Sequence, residues 1–169
     1  MKAVRLATLL SVLGAGSAFG ANASPCELLT RPQVASVVGD GAIGMQPFRE
    51  ELPQRRKAKA LAPMQMCVWS VKETQSAVEL RVAAAPLDGP AMDFVLDTLS
   101  EHGKRHQEDE QDFGNVSCWA ETRPKPQFPY AACVGNVRGN ALKVQFSSNT
   151  ASPTILQAKL LFDQAAAGL

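Results

Sequence analysis

A chain of 169 residues with 17 Lys and Arg against 16 Asp and Glu carries a formal net charge of +1. That balance excludes the strongly basic field that holds proteins on nucleic acid or on anionic membrane surfaces. A hydrophobic content of 46% excludes a disordered polymer and is enough for a real core.

The N-terminus reads as an export signal covering residues 1–23. Lys2 and Arg5 form a short positive region, an apolar run from Leu6 to Phe19 follows, and Ala21-Asn22-Ala23 offers the small residues of a cleavage site. Gly14, Gly16 and Ser17 interrupt the run, which falls short of the ~20 apolar residues of a spanning helix. Residues 24–169 then form a single domain, and losing Lys2 and Arg5 brings its charge near −1. No membrane insertion is expected after cleavage.

In chain order, the first element is a short helix at "LLTRPQVASVVG". Thr30 is its N-cap, Gln33 completes a capping box, and Leu29 and Val34 sit where a hydrophobic staple forms. Val34, Val37 and Val38 give its apolar face, and Gly39 ends it. Residues 40–65 show neither helical nor strand period, and about 45–65 is expected to be a mobile loop carrying Arg55, Arg56, Lys57 and Lys59. The period then switches to two. Cys67, Trp69 and Val71 share one face, as do Val78, Leu80, Val82 and Ala84, while Glu79 and Arg81 point to an expected wet face. "KETQS" joins the two strands as a hairpin.

An amphipathic helix follows from Asp88, with Met92, Val95, Leu96 and Leu99 as its stripe, fraying near Gly103 into a polar acidic link. Strands are expected at 115–121, at 130–137 and over "ALKVQFSS". Ser152 and Pro153 open a last helix as N-cap and first residue, with Ile155, Ala158, Phe162 and Ala165 facing inward. The order α-β-β-α-β-β-β-α predicts an α+β fold of two layers, an antiparallel sheet with its helices on one face.

Cys26, Cys67, Cys118 and Cys133 all lie beyond the signal. Gaps of about 40, 50 and 15 residues match no common zinc pattern, and an even count in an exported chain reads as two disulfides. Cys118 and Cys133 fall on strands about a dozen residues apart, which leaves Cys26 for Cys67. Each bond would contribute roughly 3–4 kcal/mol on the chain-entropy account.

"PCELLTRPQV" followed later by "CVW" resembles small exported proteins and lipoproteins of bacteria whose function is unknown. These begin Cys-x-Leu-Leu-Thr, continue into a short helix ending in Gly, and carry a second Cys before an aromatic residue. The resemblance covers residues 25–39 and 66–71. It implies export, a 26–67 disulfide and an α+β fold, and it implies no activity. The lipoprotein members bear an additional lipid-modified Cys at the cleavage site, which this chain lacks; Ala23-Ser24-Pro25 ahead of Cys26 is also a poor lipobox.

No catalytic signature emerges. His102 and His106, spaced i, i+4, are weak metal candidates on a polar helix end broken by Gly103, without H-E-x-x-H. G-x-S-x-G and S-x-x-K are missing from the sequence. Trp69 and Trp119 read as core residues. Two charged stretches are left as partner-steering candidates: Arg55, Arg56, Lys57 and Lys59, and Glu108, Asp109, Glu110 and Asp112. The expectation is a periplasmic or secreted, non-catalytic binding protein without a cofactor, engaging a protein partner in the manner of an immunity or inhibitor protein. A small-molecule or metal carrier is the alternative, and a small hydrolase is a third.

Overall fold

Thr30 lies in extended conformation at the head of helix α1 (Arg31–Val38), and the Gln33 side chain accepts from its backbone N–H at 2.7 Å and its hydroxyl at 2.8 Å. Leu29 and Val34 are both buried, so the staple forms. Gly39 takes φ +90°, a conformation glycine adopts without a side-chain penalty, and its N–H closes on Ala35 at 2.9 Å. The computed structural model describes residues 24–39, 43–44, 48–50, 64–89, 110–121 and 128–169. The expected signal segment and the expected helix after Asp88 lie outside them, apart from that helix's first residues.

Eight strands form one antiparallel sheet: β1 (Ile43–Gly44), β2 (Phe48–Glu50), β3 (Met64–Val71), β4 (Ser76–Ala83), β5 (Glu110–Asp112), β6 (Val116–Glu121), β7 (Tyr130–Val137) and β8 (Asn140–Ser147). The spatial order is β1-β3-β4-β8-β7-β6-β5, with β2 also paired to β3. Helix α2 (Ile155–Gly168) completes the described elements. The architecture is α+β.

The order differs from expectation at three short strands. β1 and β2 lie end to end on the free side of β3, Ile43 opposite Ser70 and Phe48 opposite Met66. They occupy part of the stretch read as loop; residues 51–63 lie outside the description. β5 comes from the stretch read as a polar link and pairs with β6, Gln111 opposite Cys118. Segments of two or three residues are too short to show a period, so their pairing follows from the long strand beside them.

Register places Cys67 opposite Leu80, Leu80 opposite Val144, Val144 opposite Cys133 and Cys133 opposite Cys118. One row of apolar residues thus crosses five strands. This face forms a single core with Leu28, Leu29, Val34 and Val38 from the N-terminal segment and Ala158, Leu161, Phe162 and Ala165 from α2. Both disulfides belong to it: Cys26–Cys67 and Cys118–Cys133.

Helix α2 starts two residues later than the sequence suggested. Thr154, not Ser152, is the N-cap, because Thr154 and Gln157 form a reciprocal box: Gln157 N–H to the Thr154 hydroxyl at 3.3 Å, and Thr154 N–H to Gln157 Oε1 at 3.0 Å. Pro153 is buried ahead of the cap. Beyond β4, the Asn136 amide takes the place of a strand neighbour for Leu87, accepting from its N–H at 2.9 Å and donating to its carbonyl at 2.7 Å.

Gly135 shows how tightly β6 and β7 approach. A Cβ there would stand 2.6 Å from the Asn115 carbonyl oxygen and 3.2 Å from Val116 Cα, both backbone atoms that cannot swing aside. Gly135→Ala is therefore expected to destabilise the fold by about 1–3 kcal/mol. Urea unfolding checks this, and a variant as stable as the parent would show that the strands separate freely.

Candidate functional site

The second face of the sheet carries the clustered chemistry of the described residues. Alternation puts Glu79 and Arg81 of β4 on it, and register sets Lys143 of β8 directly opposite Arg81. Like charges facing each other across a ladder repel. Glu79 resolves the conflict: its Oε1 accepts from Arg81 Nε at 2.6 Å and from Lys143 Nζ at 3.1 Å.

The expectation of a wet face fails here. Lys143 is only 2% exposed, and Met64, Met66, Ala83, Ala132, Val134 and Ala141, which share its face, are buried. Glu79 and Arg81 are themselves mostly covered, at 21% and 18% side-chain exposure. Burial alone would raise the Glu79 carboxyl pKa. The charges of Lys143 and Arg81, with the hydrogen bonds both donate, outweigh it and hold the group below its ordinary value.

Further along the same row, past Gln145 and Ala132, lies Trp119. Its Nε1 is buried and has no hydrogen-bond acceptor among the described residues. Trp69, by contrast, is packed into the helix-covered core. At one end of the sheet, Ser76 and Ser148 share a 2.8 Å hydrogen bond in a buried setting. Ser148 Oγ also accepts from the N–H groups of Thr150 at 3.3 Å and Ala151 at 3.1 Å. An oxygen so occupied is a structural hydroxyl, not an activated nucleophile.

Of the residues singled out in the sequence, the four cysteines are paired as expected. Glu110 and Asp112 fall on β5, the edge strand, where Asp112 is exposed and accepts from Ser117 Oγ at 2.7 Å. Among the described residues β5 is an edge of the sheet, and an exposed carboxylate such as Asp112 on an edge discourages pairing with another sheet. Arg55, Arg56, Lys57, Lys59, Glu108, Asp109, His102 and His106 lie outside the described residues. Among those described, no group of three or more His, Cys, Asp or Glu is placed to hold a metal ion.

The Glu79–Arg81–Lys143 cluster was missed, although its signal is present. Met64, Met66 and Val68 alternate with Cys67, Trp69 and Val71, so β3 is apolar at both parities, as strands buried on both faces are. No family model, curated protein or solved structure matches this chain.

Because folding depresses the Glu79 pKa, its stabilising contribution is present above the unfolded value of 4.5 and is lost as pH falls through the lower folded value. Glu79→Gln is expected to cost about 3 kcal/mol at pH 7, and the difference from the parent should narrow as the pH is taken from 7 to below 4.5. Denaturant titrations at both pH values check this. A cost that persists unchanged in acid would mean the carboxylate's charge is not what holds Arg81 and Lys143 together.

Proposed function

We propose that this chain is an exported, non-catalytic binding domain that engages a protein partner. The observation that carries this reading is a pair of leucines on the solvent side of α2: Leu156 is 71% and Leu160 is 47% exposed, one turn apart. The opposite side of the same helix, Ala158, Leu161, Phe162 and Ala165, is fixed in the core, so the pair is presented on a rigid element. Between them Lys159 bridges Asp163 at 2.7 Å and lies 5.0 Å above the Phe113 ring, which keeps that long side chain ordered. A preorganised apolar pair with a polar border is the anatomy of a small contact patch.

Export is supported by the leader-like N-terminus and by two disulfides, which suit a non-reducing, extracellular environment. Among the described residues no helix is long and apolar enough to cross a membrane. Periplasmic or secreted location is the finer form of this reading, and an immunity- or inhibitor-type role is its specific version.

A second reading, a carrier of a small polar ligand, is favoured by one observation, the buried Trp119 Nε1 donor beside a charged row. Native mass spectrometry of protein taken directly from its source separates the two, since a carrier would retain mass beyond the polypeptide.

For the main reading, immobilised parent protein is compared with a Leu156→Asp/Leu160→Asp variant against the exported fraction of the source cells. The expected result is one stoichiometric protein held by the parent and lost by the variant, with unchanged melting temperature. Equal capture by both, or none by either, removes α2 as the contact surface.

A further inference from the structure

The two disulfides differ in what can reach them. We propose that Cys26–Cys67 is a thiol-exchange site, the bond on which a dithiol reductant or a disulfide-donating oxidoreductase acts, while Cys118–Cys133 is closed to exchange in the folded chain. Exchange requires a thiolate to approach a sulfur along the disulfide axis. Cys118 and Cys133 are fully buried and directly opposite each other on β6 and β7, flanked by β5 on one side and β8 on the other. Their side chains project onto the face packed under α2, so reaching them means lifting that helix from β6, β7 and β8.

Cys26 is placed differently. It is only half-buried and lies in a three-residue turn, Pro25–Glu27, anchored by the Ser24 hydroxyl accepting from Cys26 N–H at 3.2 Å. The helix that follows has eight residues, too few to persist alone. The segment packs on the sheet and on α2 through Leu28, Leu29, Val34 and Val38, with Cys26 and Val37 partly buried beside them, and the disulfide joins it to β3. An eight-residue helix that lies outside the strand ladders opens at a lower free energy than the paired strands of the sheet.

The chemistry runs in one direction across the bond. The attacking thiolate forms a new S–S bond to Cys26 Sγ, and the Cys26–Cys67 bond breaks with its electron pair going to Cys67 Sγ. That sulfur sits in the apolar core, where a thiolate is disfavoured, so it takes up a proton. The second thiol of the reductant then displaces Cys26, and the reductant leaves as a disulfide, having delivered two electrons. Run backwards, the same steps describe oxidative folding. The 15-residue separation of Cys118 and Cys133 closes at lower entropic cost than the 41 residues between Cys26 and Cys67.

The test uses the folded, oxidised chain at neutral pH with dithiothreitol and no denaturant, quenched at intervals with iodoacetamide and mapped by peptide mass. Cys26 and Cys67 are expected to be labelled together, at least about tenfold faster than Cys118 and Cys133. In the partly reduced species, amides of Arg31–Val38 should lose hydrogen-exchange protection while those of β7 and β8 keep it. Labelling of Cys118 and Cys133 first, or of all four at one rate, overturns the assignment. Retained protection over Arg31–Val38 would equally contradict the release of this segment.

Discussion

The constraint on the central strands is a pair of cations brought face to face by packing. Arg81 lies directly opposite Lys143 on a covered sheet face, and Glu79 offsets their repulsion by accepting from both. The apolar face fixes the same register independently, since a shift of one residue would turn Leu80, Val144 and Phe146 away from the helices. Core packing thus forces two cations together, and Glu79 makes that arrangement tolerable. Replacing a buried ion cluster with apolar residues is often neutral, so the cluster is better understood as offsetting a repulsion that packing creates than as adding net stability.

From that pair of strands the rest of the sheet extends in both directions. On one side, Cys67 of β3 is bonded to Cys26, residues 24–39 pack on β3, β4 and α2, and α1 is too short to hold its place without that packing. On the other, β7 and β6 approach so closely at Gly135 that no side chain fits, and Cys118–Cys133 joins them across the ladder. Helix α2 spans this second half, packing on β7, β8 and β6. Its inner side is thereby fixed and its outer leucines are left in solvent.

Much of this was legible in the chain. Strands β4 and β8 announce themselves by period two, the first helix start by Thr30 followed three residues later by Gln33, and the disulfides by an even cysteine count with no metal spacing. Cap position was misjudged at Ser152 because a Ser-Pro pair is locally as good a start as Thr154, and only the Gln157 side chain decides between them. The edge strands β1, β2 and β5 have no local signal, since two or three residues acquire strand character from their neighbour. The charged cluster was hidden for a different reason: Glu79 and Arg81 alternate with apolar residues as solvent-facing residues do, and only the second apolar parity of β3 and the burial of Lys143 show that their face is covered. Function was the least legible, because exposed leucines on a helix look like any interrupted apolar pattern until the buried side is known.

The account stands or falls on Glu79 and Lys143 acting as a unit. A double-mutant cycle with Glu79→Gln, Lys143→Met and the combined variant, read by urea unfolding at pH 7, measures this directly. The account predicts a coupling of about 2 kcal/mol, the combined variant being more stable than Glu79→Gln alone. Additivity within about 0.5 kcal/mol would contradict it.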